Sequence, residues 1–214
     1  LAPRFHGAAA RRTTAMSSFD LSAALAAGVT VVTPNNRFAR ALVARHDDAM
    51  RQQGCRTWQA ARVLPWHAWQ QALWLDALGA DAFADPRPLL SEHAAAFLWD
   101  RIVARERTLL DPRGAAERAR EAWVLFHAWR EPGESFASWA HAGIADDAAA
   151  FAGWAQGFAT QLDEQHASDP AQAADALAAA AGKLTSWHDA DVVLAGFLET
   201  TRQPFAALAG HGNT

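Results

Sequence analysis

Residues 29–42 constrain the fold more than any other part of the sequence. They begin with the strand-like run Val29-Thr-Val-Val, pass through a polar turn and continue with apolar residues at helical spacing. The turn itself reads Thr33-Pro34-Asn35-Asn36-Arg37. This order predicts a buried strand that leads through a tight turn into an amphipathic helix, which is the shape of a nucleotide-binding P-loop.

The chemistry of a P-loop is missing from this turn. A P-loop needs glycines that let backbone N–H groups wrap phosphate, a Lys for the outer phosphates and a Ser or Thr for magnesium. Here the turn contains no glycine, Pro34 removes a donor, and the nearest cation is Arg37 on the helix. We therefore expect no ATP hydrolysis at this turn. A simpler interpretation is that Asn35 or Asn36 caps the helix.

A second apolar run of strand length lies near the C-terminus. It reads Asp191-Val-Val-Leu-Ala-Gly and passes into a polar turn and a helix-like stretch that ends near Leu208. Between the two segments, apolar spacing predicts several helices, one of them capped by Ser91 and one alanine-rich over residues 171–181. Two strand-turn-helix units thus flank a helical middle.

The predicted helices divide into apolar and polar sides. The first helix should bury Ala39, Leu42, Val43, His46 and Met50 and expose Arg37, Arg40 and Arg51. The apolar stripes of the later helices include Phe97, Leu98, Ile102, Phe126, Trp129, Phe158 and Leu162. Of the ten tryptophans, we expect Trp99, Trp123 and Trp154 to anchor the core.

The two flanking segments resemble the first and second ATPase motifs of UvrD/Rep-type superfamily I helicases. The resemblance is to the degenerate form found in AddB-like bacterial DNA repair proteins, whose complete chains end in a PD-(D/E)XK nuclease domain. In an active helicase the second strand ends in an Asp-Glu pair that holds magnesium; this chain has Ala195-Gly196 there, and then Glu199. The resemblance implies a remnant nucleotide site with no catalytic residue, no metal and no ATP or Mg²⁺ as cofactor. Its residues are Thr33, Asn35, Asn36, Arg37 and Glu199.

Residues 62–74 are similar to the helicase segment in which a Thr-x-His-x-aromatic turn meets single-stranded DNA. His67 and Trp69 occupy the His and aromatic positions. The alternative is that this Trp-rich helix start packs in the core. Together with the arginines of the first helix, the candidate DNA-binding residues are Arg37, Arg40, Trp66, His67 and Trp69.

The resemblance implies an α/β fold that is mostly α, with a partial RecA-like (P-loop) parallel sheet and a large inserted helical subdomain. Residues 29–65 and 190–214 would form the sheet domain and residues 66–189 the insertion, after a partly disordered extension over residues 1–28. A sheet of two or three strands leaves edges and one face uncovered. We therefore expect the chain to self-associate or to pack against further sequence.

Composition limits the ways in which such a chain can bind DNA. The 214 residues carry a net charge of −4, so a DNA contact must be local rather than a general basic field. No apolar run approaches the roughly 20 residues that cross a bilayer, and Cys55 is the only cysteine. These features favour a cytoplasmic, globular protein. The first fifteen residues carry three arginines and no acid, and Met16 resembles a natural start. This fits a disordered extension, or a start placed too early, better than a targeting segment.

The functional hypothesis is a non-catalytic, helicase-like scaffold of a DNA repair and recombination protein. It would bind a single strand or a duplex end for an exonuclease domain, and its partners would be DNA and either the missing C-terminal nuclease region or a helicase subunit. Two alternatives remain. One is a residual nucleotide-binding domain in which Arg37 replaces the Lys and Glu199 or Asp191 holds magnesium. The other is a Trp-rich helical module that docks a partner protein.

Overall fold

The computed structural model of the chain describes residues 20–130, 146–183 and 192–197. The α-helices in this part, in chain order, are α1 (Leu21–Ala26), α2 (Asn36–Gln52), α3 (Trp66–Gly79), α4 (Glu92–Val103), α5 (Pro112–Trp129), α6 (Asp146–Glu164) and α7 (Ala173–Ala180). Two short 3-10 helices, Pro170–Gln172 and Ala181–Lys183, lie on either side of α7. The expectation of a mainly helical chain is confirmed.

Three short strands form one parallel sheet. The central strand β1 (Thr30–Thr33) pairs on one side with β2 (Val63–Pro65) and on the other with β3 (Val192–Leu194). Both predicted flanking strands therefore exist, and they are direct neighbours. β1 is buried along its whole length, as expected for a strand with partners on both sides and helices on both faces.

Helices cover both faces of this sheet. Val31 packs on one face with Leu25 of α1 and Leu42 of α2. Val32 packs on the other face with Trp74 of α3 and Leu177 of α7. The expectation that one face would be uncovered is therefore wrong, because α3 and α7 return to the sheet after the chain has left it.

Side-chain caps fix the starts of several helices. Asn35 Oδ1 accepts a hydrogen bond of 2.9 Å from the Phe38 backbone N–H at the start of α2. Ser91 caps α4 in the same way, as predicted, by accepting from the Ala94 N–H at 3.1 Å. Asp111 does so for α5, whose first residue is a proline.

Helices α4, α5 and α6 form a second core built on stacked aromatic rings. Trp99 stacks on Phe158 with ring centroids 4.6 Å apart, and Trp123 meets the same Phe158 edge-on at 5.7 Å. Trp99 and Trp123 are buried, as predicted. Trp154, the third predicted anchor, is half-buried and packs against this core from its margin.

Two aromatic residues of the predicted apolar stripes lie outside both cores. Phe97 is 60% exposed and Trp129 is 55% exposed, so their assignment to the buried side of α4 and α5 is wrong. Arg101 lies over the Phe97 ring at 5.9 Å from its centroid, which partly shields this ring. The buried stripes of α4 and α5 are therefore narrower than the sequence indicated.

The predicted domain limits remain a prediction. Helices α3 and α7 fall inside the predicted insertion at residues 66–189 but contribute to the core beneath the sheet. Helix α1 falls inside the predicted N-terminal extension and packs on α2 and β1. Residues 1–19 and 198–214 lie outside the described residues. In the described ranges, no helix is both long enough and apolar enough to cross a membrane.

Candidate functional site at the carboxyl edge of the sheet

The order in which the chain adds strands to the sheet changes direction at β1. The chain runs from β1 through α2 to β2 on one side, and later reaches β3 on the opposite side of β1. In open α/β sheets, ligands bind outside the carboxyl ends of the strands at such a switch point. The turn at residues 33–37 follows the carboxyl end of β1, and residues 195–197 follow that of β3. The two segments singled out in the sequence therefore meet at this carboxyl edge.

The turn after β1 uses its own polar groups to hold its shape. Thr33 is fully buried, and its single O–H proton is shared between two acceptors, the backbone carbonyls of Asn35 at 3.2 Å and Leu64 at 3.4 Å. The Asn35 side chain already accepts the hydrogen bond that caps α2. Asn36 and Arg37 are exposed. Of the four predicted remnant residues in this turn, two are thus engaged within the fold and two face solvent.

Phe38 fills the crevice between the ends of β1 and β3. Gly196 has a φ of +80°, and a Cβ built there would lie 2.7 Å from Phe38 Cδ1 and closer still to Cε1. No side chain fits at position 196 while the ring stays in this place. This position is the one at which the resembled helicases carry an acid of the magnesium-holding pair. Glu199 and Asp191 lie outside the described residues, and their roles stay predictions.

The start of α3 lies at the same edge, beside the turn after β1. Pro65 pairs with Thr33 in the sheet, and α3 begins at the next residue, Trp66. Trp66 is half-buried and meets Phe197 edge-on, with ring centroids 6.4 Å apart. His67 is exposed.

Trp69 occupies a different environment from Trp66. It is only 4% exposed and belongs to the core beneath the sheet, with its ring centroid 5.3 Å from that of Trp66. A base could stack on it only after α3 had moved. Of the Trp66, His67 and Trp69 candidates, the first two are therefore accessible at the edge and the third is a packing residue.

Arg37 and Arg40 supply the positive charge near this edge. Both side chains are exposed, and neither makes an ion pair within the described ranges. Arg40 lines an open groove of about 380 Å³ between α2 and the edge strand β2. Arg51, in the last turn of this helix, differs because its guanidinium lies 2.6 Å from Asp48. The start of α2 therefore presents two cations that have no ion-pair partner among the described residues.

Asp47 marks the far end of the same groove. Its carboxylate accepts a hydrogen bond of 2.8 Å from Trp58 Nε1, which fixes the loop before β2 against α2. The Arg51 guanidinium carbon lies 5.7 Å from the centroid of the same Trp58 ring. The groove thus changes from positive to negative along α2.

Helices α2 and α3 both direct their N-terminal ends to the carboxyl edge. The free N–H groups and the dipole of a helix N-terminus favour negative charge within the first turn. At α3, no side chain caps these groups. The edge therefore combines two helix N-termini with the exposed cations Arg37 and Arg40, an arrangement that suits phosphate groups. Among the described residues, no group of three metal-ligating side chains occurs.

The sequence interpretation missed Phe38 and Gly196 as parts of this site. A glycine directly after a buried strand is a signal for close approach of another group, which here is the Phe38 ring. It also missed two buried titratable groups in the helical core. The carboxylate of Asp169 accepts from Trp123 Nε1 at 2.9 Å, and burial raises its pKa.

His127 is the second of these groups. It lies against the rings of Trp123 and Phe126, and among the described residues neither of its ring nitrogens has a hydrogen-bond partner. Burial, helped by the charge of Arg130, lowers the pKa of His127 to about 4. Both groups belong to the α4–α6 core and not to the carboxyl edge, so we interpret them as structural.

No known protein-family model matches the chain, and no characterised protein matches its sequence. The resemblance to AddB-like proteins therefore stays a prediction from the motifs.

Proposed function

We propose that the chain is a non-catalytic, helicase-derived scaffold that binds DNA at the carboxyl edge of a partial RecA-like sheet. The complete protein would act in bacterial DNA repair or recombination in the cytoplasm, and would carry its PD-(D/E)XK exonuclease elsewhere or work with a helicase subunit. The chain itself would bind a single strand or a duplex end and leave the cleavage to that nuclease.

One observation carries the proposal. Arg37 and Arg40 are exposed and unpaired, within the described ranges, beside two helix N-termini, while Phe38 packed on Gly196 fills the neighbouring crevice. Such a surface offers phosphate contacts outside the sheet but no enclosed space for a nucleotide. A DNA backbone needs only phosphate contacts and no enclosed space, because its phosphates lie along the outside of the strand.

Aromatic contact adds to this surface. Half-buried Trp66 meets Phe197 on one side, and exposed His67 follows it. Stacking of a base on an exposed aromatic ring contributes about 1–3 kcal/mol and does not depend on sequence. We assign this role to Trp66 and His67 and leave the buried Trp69 out of the contact surface.

The experiment is fluorescence anisotropy with a labelled single strand and a labelled blunt duplex at several salt concentrations. We expect binding that weakens with salt, and we expect Arg37→Ala/Arg40→Ala to weaken it about tenfold or more at low salt. The slope of log K against log salt should become shallower by about 2, since two phosphate contacts are lost.

The matched control is Arg113→Ala/Arg118→Ala, which removes the same charge from exposed positions of α5. It should bind DNA nearly as the wild type does. If both double variants lost DNA affinity equally, the loss would be explained by net charge rather than by the positions of Arg37 and Arg40. Absence of any binding at low salt would overturn the proposal.

A specific observation favours one second candidate, a module that docks a partner protein. Leu125 and Trp129 lie four residues apart on α5, on one side of the helix, and are 58% and 55% exposed. Such a surface would give binding that changes little with salt. This candidate would be supported by a pull-down in which a partner protein stays bound at high salt. The Leu125→Ser/Trp129→Ser variant should then no longer bind that partner.

A further inference from the structure

A second site lies between α1 and α2, on the latter half of α2. There the two helices enclose a groove of about 270 Å³ whose apolar walls include Leu25, Leu42 and Met50. The polar lining includes Arg45 and His46. His46 lies ten residues beyond Asn36, about 15 Å along the helix. The groove is therefore separate from the contact surface proposed for DNA.

His46 lies in this groove with unused hydrogen-bonding capacity. It is only 6% exposed, and in the part of the chain that the structure describes it makes no hydrogen bond and no ion pair. A neutral imidazole has one donor and one acceptor nitrogen, and those of His46 open into the groove rather than being sealed in the core. The groove is the place from which a partner for this ring can come.

One anion, Asp20, and one cation, Arg45, line the groove. Asp20 lines it, but its carboxylate is engaged as the cap of α1, where one oxygen accepts from the Ser22 and Ala23 N–H groups at 3.0 Å each. Arg45 makes no ion pair with any described residue. The groove therefore presents an unpaired cation next to an imidazole that can donate a hydrogen bond.

We propose that this groove binds a small monocarboxylate with a short apolar body. The carboxylate would pair with Arg45 and accept from His46, and the hydrocarbon part would pack on Leu25, Leu42 and Met50. The volume is just below the roughly 300 Å³ at which pockets for drug-sized ligands begin. The ligand is therefore of fragment size, with about eight heavy atoms.

Saturation-transfer NMR with hexanoate as the probe tests this site, with hexan-1-ol and hexylammonium as probes of the same body and different charge. Hexanoate should bind in the millimolar range and about tenfold more tightly than either of the others. Arg45→Gln, an exposed substitution that should leave the fold intact, should remove this preference, whereas Arg105→Gln on the loop after α4 should keep it. His46→Leu should weaken hexanoate and spare hexan-1-ol.

Equal binding of hexanoate and hexan-1-ol, or no binding of hexanoate, would overturn the proposal. So would a preference for hexanoate that Arg45→Gln leaves unchanged. If His46→Leu does not fold, the Arg45→Gln comparison decides alone. None of these outcomes depends on DNA binding, so the two proposals fail or survive separately.

Discussion

The ring of Phe38 lies so close to Gly196 that position 196 has room for hydrogen alone. A Cβ on Gly196 would lie 2.7 Å from Phe38 Cδ1, and the φ of +80° is one that L side chains rarely adopt. This contact joins the helix after β1 to the end of β3. It therefore closes the crevice at which sheets of this kind bind ligands.

Gly196→Ala should destabilise the chain by about 2–4 kcal/mol, since the left-handed φ and the clash with Phe38 each cost about 1–2 kcal/mol. Urea unfolding followed by circular dichroism measures the change. Gly79→Ala is the matched control, because a Cβ on Gly79 meets no atom within 4 Å. It should change stability by less than about 1 kcal/mol.

Combining Gly196→Ala with Phe38→Ala separates the two costs. Removal of the ring relieves the clash but leaves the backbone strain, so the double variant should be more stable than the sum of the single effects by about 1–2 kcal/mol. Strictly additive effects would show that Phe38 does not oppose a side chain at position 196.

A buried carboxylate in the helical core gives a second prediction. Trp123 Nε1 donates to the buried Asp169 carboxylate at 2.9 Å, and this bond lowers a pKa that burial raises. Trp123→Phe keeps an aromatic side chain but removes the donor, and loss of the hydrogen bond should cost about 1–3 kcal/mol at neutral pH. The smaller ring adds a packing cost that does not depend on pH. The bond favours the charged form, so the cost should shrink as the pH falls through the raised pKa of Asp169.

Thermal or urea unfolding at several pH values checks this dependence. On an Asp169→Asn background, the cost of Trp123→Phe should no longer vary with pH. Trp154→Phe, at a half-buried ring on the margin of the same core, serves as the control and should show no such trend. A cost that is independent of pH in the original background would contradict the assignment.

Local signals in the sequence were enough to predict much of this molecule. The β-branched runs gave β1 and β3, and the caps Asn35 and Ser91 gave the starts of α2 and α4. These features could be predicted because their physical causes lie within a few residues. The same holds for the exposure of Arg37 and Arg40, which follows from the helical period of α2.

The remaining features depend on contacts between distant parts of the chain. Nothing in the composition of α3 indicates that Trp69 packs beneath the sheet rather than in the helical core. Likewise, the exposure of Phe97 and Trp129 depends on which helices stand beside them. A glycine directly after a strand is a signal of close approach that the sequence analysis did not use, and only the fold identifies Phe38 as the partner of Gly196.

The groove beside β2 gives a prediction for DNA binding, which rests on the proposed function. Asp47 lies in this groove with Arg40, and its charge opposes phosphate. Asp47→Asn removes the charge and keeps an oxygen for Trp58 Nε1. DNA affinity should rise about twofold to fivefold at low salt, and the gain should fade as salt screens the charge.

Asp100→Asn on α4 changes the net charge equally at an exposed position and is the control for this measurement. It should leave the affinity nearly unchanged in the same anisotropy titration. A similar gain in both variants would mean that DNA responds to net charge and not to the groove.

His127 predicts how the stability of the chain depends on pH. Its pKa is about 4 in the folded protein. Burial is the main cause, the charge of Arg130 lowers the pKa further, and the charge of Asp175 raises it by a smaller amount. In the unfolded chain the pKa is near 6.5. Since the unfolded state binds the proton more readily, stability is lost as the pH falls from about 6.5 to about 4, by up to roughly 3 kcal/mol.

His127→Leu should remove this part of the pH dependence, because a side chain of similar size replaces the unpartnered imidazole. Stability at pH 7 should stay the same or rise, since the variant removes two buried ring nitrogens that have no hydrogen-bond partner among the described residues. The control is His93→Leu at an exposed position of α4, which should keep the wild-type dependence.

Asp169 acts in the opposite direction, because its raised pKa favours the folded state as the pH falls. Asp169 is present in both proteins, so its effect cancels when the free energies of unfolding of His127→Leu and wild type are subtracted at each pH. A difference that does not change between pH 4 and 6.5 would contradict the role assigned to His127.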